Sequence, residues 1–274
     1  MREATKNHFQ QQHYKLGAED ETDFGCRFEA RPIHLGGSRK NTIAYVKLHG
    51  QNEETKFNIK CHHFGPSNSS SHGQSPEINE IYCYKLLELI HVGPQVQFII
   101  PKRFTGSKLS LYIVTRWEDD FIPLSGNTEE AVGVDVLVQI LLLGTFLFID
   151  DLHSKNCGYW KDTKEVAIVD FMPKAFFTFT NVKRAFFYND LSVYREISHS
   201  DTECDEAARM EVARKCLKKW DLLSQIDLAI EQITPEMDQM KQQEIGFKGF
   251  NSSSEKLDQY ISTIKQNIIK LIGT

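Results

Sequence analysis

The chain has no Cys-x-x-Cys pair, no apolar run long enough to span a bilayer, no excess of positive charge and no internal repeat. Each absence removes a class of function. The six cysteines, Cys26, Cys61, Cys83, Cys157, Cys204 and Cys216, lack the spacing of a zinc ribbon or a disulfide framework. Reduced thiols in an intracellular protein are therefore expected. The longest apolar run, Val136–Ile149, covers 14 residues and includes Gln139, whereas a spanning helix needs about 20. A buried helix is expected there. A net charge of −5 argues against a nucleic-acid surface, because phosphate contacts need clustered Lys and Arg. The first residues are polar, with no apolar core of the signal-peptide kind. The expected location is cytoplasmic or nuclear, with no transmembrane segment and with room for peripheral membrane contact.

What is present falls into two halves. Residues 1–23 are polar and read as an arm or a poorly packed lead-in. From Arg27 the pattern becomes that of strands: RFEARPIHL, TIAYVKLHG and KFNIKCHH, joined by short connections. A Gly-, Pro- and Ser-rich loop follows, then a helical segment, PEINEIYCYKLLELI. Two further strands, VQFIIP and LSLYIVTRW, complete a set of five. After Trp117 the chain reads as mainly helical. Ala131–Ile149 is a buried helix, CGYW and EVAIVDF form a hairpin around KDTK, and Thr234-Pro235 marks a helix start. The last segment, EKLDQYISTIKQNIIKLIG, carries a clear apolar stripe. The pattern predicts an α+β fold in two lobes with a cleft between them: 24–117, an antiparallel five-stranded lobe, and 118–274, a mainly helical lobe.

The stretch DDLHSKNCG, Asp150–Gly158, stands at the end of the most apolar segment. Asp151 and Asn156 are five apart, and Asp170 follows 14 residues later. Asp and Asn oxygens suit Mg²⁺, because hard cations take oxygen donors. An Asp off the metal can orient a nucleophilic hydroxyl. Together these are a minimal set for phosphoryl transfer. The plainer reading is that Asp151 and Asn156 cap a helix and fill a turn. His153 reads as a loop-stabilising residue, Lys155 as solvated or phosphate-contacting, and Cys61-His62-His63 as a strand end.

D-L-H-S-K-N followed by VDF resembles the catalytic loop and metal-binding motif of the protein-kinase-like fold, which carries D-x-x-x-x-N and then D-F-G. The His two residues after the Asp is closest to phosphatidylinositol 3- and 4-kinases and to HipA-type kinases. The resemblance implies that Asp151 is the catalytic Asp and that Asn156 and Asp170 hold Mg²⁺. It implies a phosphate-binding Lys on the third strand and a Glu on the next helix. Lys60 and Glu80, 20 residues apart, stand in those places. Lys47 takes the first role if the strands are offset by one. Gly36, Gly37 and Ser38 fall where a phosphate-covering loop is implied. Trp117 and Glu118 fall at the hinge that meets adenine.

The pattern also departs from the family. Ile149-Asp150 replaces the His-Arg before the catalytic Asp, Met172 replaces the glycine of D-F-G, and no A-P-E follows. The resemblance thus implies an ATP- and Mg²⁺-dependent kinase with a hydroxyl acceptor on a protein or a phosphoinositide. The alternative is a pseudokinase acting as a nucleotide-binding or regulatory module. A metal-dependent phosphohydrolase using Asp150, Asp151, His153 and Asp170 is a third reading.

Overall fold

The computed structural model describes residues 1–30, 41–64, 78–101, 109–124, 133–150, 152, 154–173, 206–242 and 253–272. The class is α+β: a five-stranded antiparallel sheet, two smaller sheets and, among the described residues, six helices. The chain divides into two compact units. One comprises Met1–Pro76, Gln95–Trp117 and Ile233–Phe250; the other comprises Glu77–Pro94, Glu118–Gln232 and Asn251–Thr274.

The first unit is built on β1 (Gly25–Glu29), β2 (Asn41–Lys47), β3 (Thr55–Phe64), β4 (Val96–Ile99) and β5 (Leu109–Arg116). The order across the sheet is β1-β2-β3-β5-β4, and every neighbouring pair is antiparallel. The expected meander of the first three strands is present. The first of them ends at Glu29 within the described residues, short of the expected Leu35. Alternation sorts β3 into two faces. Phe57, Ile59 and Cys61 are buried in one cluster with Ala44, Val46, Ile99 and Val114. Lys56, Asn58 and Lys60 point the other way.

Residues 1–23 are not a poorly packed arm. Arg2–Lys15 is a helix, α1, and it packs Phe9 into the cluster on the sheet. Phe9 is fully buried, with its ring centroid 4.8 Å from that of Phe57. Only Thr5, Phe9 and His13 are buried, one residue per turn along one line. A single aromatic on that line is too little to register as an apolar stripe. Gln97 Oε1 on β4 accepts hydrogen bonds from His8 and Gln12, at 2.9 and 2.8 Å. The helix ends at Leu16, and Gly17 takes a φ of +97°, where a side chain would be strained.

The second unit contains α2 (Ile78–Leu89), α3 (Val134–Leu147), α4 (Glu206–Lys219) and α6 (Ser253–Ile272). α5 (Leu222–Gln242) gives its residues up to Gln232 to this unit and the rest to the first. α3 is apolar on nearly every side, as a fully buried helix must be. It stops at Leu147 rather than Ile149. Phe148 takes a left-handed conformation (φ 48°, ψ 38°), and Ile149–Asp150 becomes a short strand. Tyr260 of α6 closes that end. Its hydroxyl bonds the Leu147 carbonyl, one of the acceptors a helix C-terminus leaves open. It also meets Cys83 Sγ at 3.0 Å. Burial pushes the Cys83 thiol up to about 12, so it remains a thiol.

Thr234-Pro235 does not start a helix. Pro235 lies inside α5, which runs unbroken from Leu222 to Gln242. The buried stripe Leu222, Ile226, Ala229, Ile233, Met237 and Met240 continues past the proline. Packing of that stripe outweighs the lost backbone donor, which costs about 3 kcal/mol in an isolated helix interior.

Candidate functional site

The second unit frames the DDLHSKNCG segment with two short ladders. On one side β7 (Ile149–Asp150) pairs with β10 (Met172–Pro173), Asp150 opposite Met172. On the other, β8 (Cys157–Trp160) pairs with β9 (Val166–Ile168), Cys157 opposite Ile168. β6 (Phe121–Pro123) adds a third strand beside β8. The segment from β7 to β8 and the segment from β9 to β10 therefore run between the same two ladders. The first contains Asn156, the second Asp170. Val169 N–H donates to the Asn156 carbonyl at 2.9 Å, one step past the last ladder pair. Asn156 and Asp170 thus sit at the same open end of one hairpin. Each is half-buried, and Lys155 is exposed.

The local sequence explains this frame. Gly158 lies so close to β6 that a Cβ there would stand 2.0 Å from the Ile122 carbonyl oxygen. Leu152, Cys157 and Phe171 are buried, and Cys157 Sγ reaches the Leu152 carbonyl at 3.6 Å. Between these anchors Ser154 and Asn156 are half-buried and Lys155 is exposed.

Asp170 is held by two donors on one oxygen. Oδ1 accepts the Tyr84 hydroxyl at 3.1 Å and the Phe171 N–H at 3.0 Å. Tyr84 is on α2, one turn beyond Glu80, so the two share a helix face. Glu80 is 1% exposed and lies in the first turn of α2, where the helix dipole favours a carboxylate. Tyr84 was missed by reading the sequence for charged residues alone. Its i+4 relation to Glu80 is the signal that would have found it.

In the first unit Lys60 stands on β3, the third strand, opposite Ile113 of β5. Lys47 is the last residue of β2, opposite Gly25, so it does not occupy the third strand. Lys56 shares a face with Lys60, and its Nζ lies 3.8 Å from the centroid of the Trp117 ring. Trp117 N–H donates to the Lys56 carbonyl at 2.8 Å. Asn58 is on that face too, and its Oδ1 is buried with no hydrogen-bond partner among the described residues. Glu118, next to Trp117, accepts the Phe121 N–H through its carbonyl at 3.3 Å. Cys61-His62-His63 are part of β3, as expected for a strand end.

Asp151, His153, Gly36, Gly37 and Ser38 lie outside the described residues. Lys60 and Trp117 belong to one unit; Glu80, Glu118, Lys155, Asn156 and Asp170 belong to the other. Among the described residues no three His, Cys, Asp or Glu side chains converge as a metal cluster. Mg²⁺ does not need one. It is commonly held by one or two protein oxygens, with substrate phosphates and water completing the shell. Asn156 and Asp170 at one hairpin end fit that donor set. No helix among the described residues is long and apolar enough to cross a membrane. No protein-family model matches the chain, and no curated protein matches it.

Proposed function

We propose that the protein is an atypical kinase that transfers the γ-phosphoryl group of ATP to a hydroxyl on a protein or a phosphoinositide. The observation that carries this reading is that Asn156 and Asp170 sit at one end of the β8–β9 hairpin, where Val169 N–H bonds the Asn156 carbonyl, while Asp150 pairs with Met172 in the other ladder. A five-stranded antiparallel sheet with Lys60 on its third strand and a helix bearing Glu80 after it supports the same reading.

In this proposal each residue has one task. Lys60 binds the α- and β-phosphates, and Glu80 orients it. Asp151 holds the acceptor hydroxyl and takes its proton as the bond to phosphorus forms. Asn156 and Asp170 hold Mg²⁺, which neutralises charge on the phosphate oxygens. Lys155 contacts the γ-phosphate in this reading. Gly36, Gly37 and Ser38 cover the phosphates with backbone N–H groups.

A second reading is a nucleotide-binding module without catalysis. It rests on Met172, which stands in place of a glycine and is paired in β10. One experiment separates the two. Melting temperature is followed with ATP, with and without Mg²⁺, in the parent, Lys60→Ala and Asp170→Ala, and phosphate transfer is then assayed. Mg²⁺-dependent stabilisation lost in both variants supports nucleotide binding at these residues. Transfer lost in Asp151→Ala with binding retained supports the kinase; no transfer by the parent, with binding present, supports the module. ATP without effect on the parent under any condition overturns both.

A further inference from the structure

We infer that Tyr84 is a positioning residue that fixes the carboxylate of Asp170 and ties it to helix α2. The inference rests on the reading of Asp170 as a metal ligand. Tyr84 is 3% exposed, and a buried phenol needs a partner for its O–H. It donates to Asp170 Oδ1 at 3.1 Å. A hydroxyl bonded to an ionised carboxylate is roughly twice as strong as a neutral pair. The terminal torsion of an Asp is broad and poorly defined by itself. With Oδ1 held by Tyr84 from one side and by Phe171 N–H from the other, the carboxylate plane is set. The direction of the whole group is then no longer a matter of rotamer chance.

The ring gives the hydroxyl its own anchor. Tyr84 and Phe171 lie with centroids 4.4 Å apart and planes tilted by 35°. Phe171 is 1% exposed, so the pair cannot slide without opening the core. The hydroxyl is carried by α2, and so is Glu80. A shift of α2 by a fraction of a turn removes the donor from Asp170 and moves Glu80 at the same time.

The test uses the full chain, Mn²⁺ in place of Mg²⁺, and a non-hydrolysable ATP analogue. Bound Mn²⁺ is counted by electron paramagnetic resonance. Tyr84→Phe keeps the ring against Phe171 and deletes only the hydroxyl. We expect about tenfold weaker Mn²⁺ binding, the usual loss when a partner of a metal ligand is removed. Metal-free nucleotide affinity should stay at the parent value, while the melting temperature falls with the lost buried hydrogen bond. A purely structural tyrosine would lower the melting temperature and leave Mn²⁺ affinity alone, and that result overturns the inference. Unchanged Mn²⁺ affinity in Tyr84→Phe, with binding abolished in Asp170→Ala, overturns it while leaving Asp170 a ligand. Parent-like binding in Asp170→Ala overturns the ligand reading and the inference together.

Discussion

In the first unit β3 pairs with β5 along eight positions, from Phe57 opposite Arg116 to Phe64 opposite Leu109. In the second, the ladder beside the candidate site pairs three positions and its partner ladder two. The long ladder spreads its load, so no single pair decides the register. The short ladders depend on individual residues: Gly158 for approach, Phe171 and Leu152 for anchorage, Tyr84 for aim. The difference shows where tolerance to substitution should lie. The sheet can lose a pair and stay a sheet, whereas the frame around Asn156 and Asp170 has little to spare.

Substitutions can break that comparison. The largest effect is expected for Phe9→Ala, which empties a fully buried position between α1 and the sheet. Loss of a core Phe costs about 3–5 kcal/mol. Denaturant unfolding gives the size, and hydrogen exchange gives the place: loss of protection centred on β2, β3 and β5. Uniform loss across both units would mean that they unfold as one and that the contrast has no energetic counterpart.

Next is Gly158→Ala. A methyl group 2.0 Å from the Ile122 carbonyl oxygen forces β6 and β8 apart. A cost on the order of 3 kcal/mol is expected, at the upper end for overpacking. Loss of the ATP response should accompany it while the five-stranded sheet keeps its exchange protection.

The third prediction concerns pH and the first unit alone. Burial holds the His8 imidazole below its ordinary value, outweighing the Gln97 hydrogen bond, which raises it; Lys15 lowers it further and Glu236 raises it. The folded protein therefore resists protonation at His8 more than the unfolded chain does. Stability is complete above the unfolded value of about 6.5 and falls as pH drops below it toward the folded value. His8→Gln should flatten that part of the stability curve.

The smallest effect is expected at His91, in the turn two residues past the end of α2, with a φ of 59°. Glycine adopts that conformation without strain, so His91→Gly should stabilise by about 0.5 kcal/mol after the extra entropy of the unfolded glycine. The Trp160 indole keeps its partner, because it bonds the His91 carbonyl. A raised melting temperature checks it.

The same contrast decides what the sequence reveals. β3 was legible because it alternates with one face buried, and β2 and β5 because they are runs of β-branched and apolar residues between turn signals. α6 was legible because Leu257, Tyr260, Ile261, Ile264, Ile268 and Leu271 recur at helical spacing and are buried. α1 was not, since Phe9 is the one buried apolar side chain among its mostly polar residues. Pro235 misled because a local breaker signal is read without the buried stripe that overrides it. At the site, the spacing of Asp151, Asn156 and Asp170 was legible, and so was the hairpin around Lys161–Lys164. The Tyr84–Asp170 bond joins residues 86 apart in the chain. Its one trace in the sequence is the i+4 spacing of Tyr84 from Glu80.

The central claim is that Asn156 and Asp170 act as one cation-holding pair. Its most direct test is the Mg²⁺-dependent part of ATP stabilisation in Asn156→Ala, Asp170→Ala and the double variant. Residues that act as a unit are not additive. Each single substitution is therefore predicted to remove most of the Mg²⁺-dependent increment, and the double variant to lose no more than the worse single one. A full Mg²⁺-dependent increment surviving in either single variant would contradict the account.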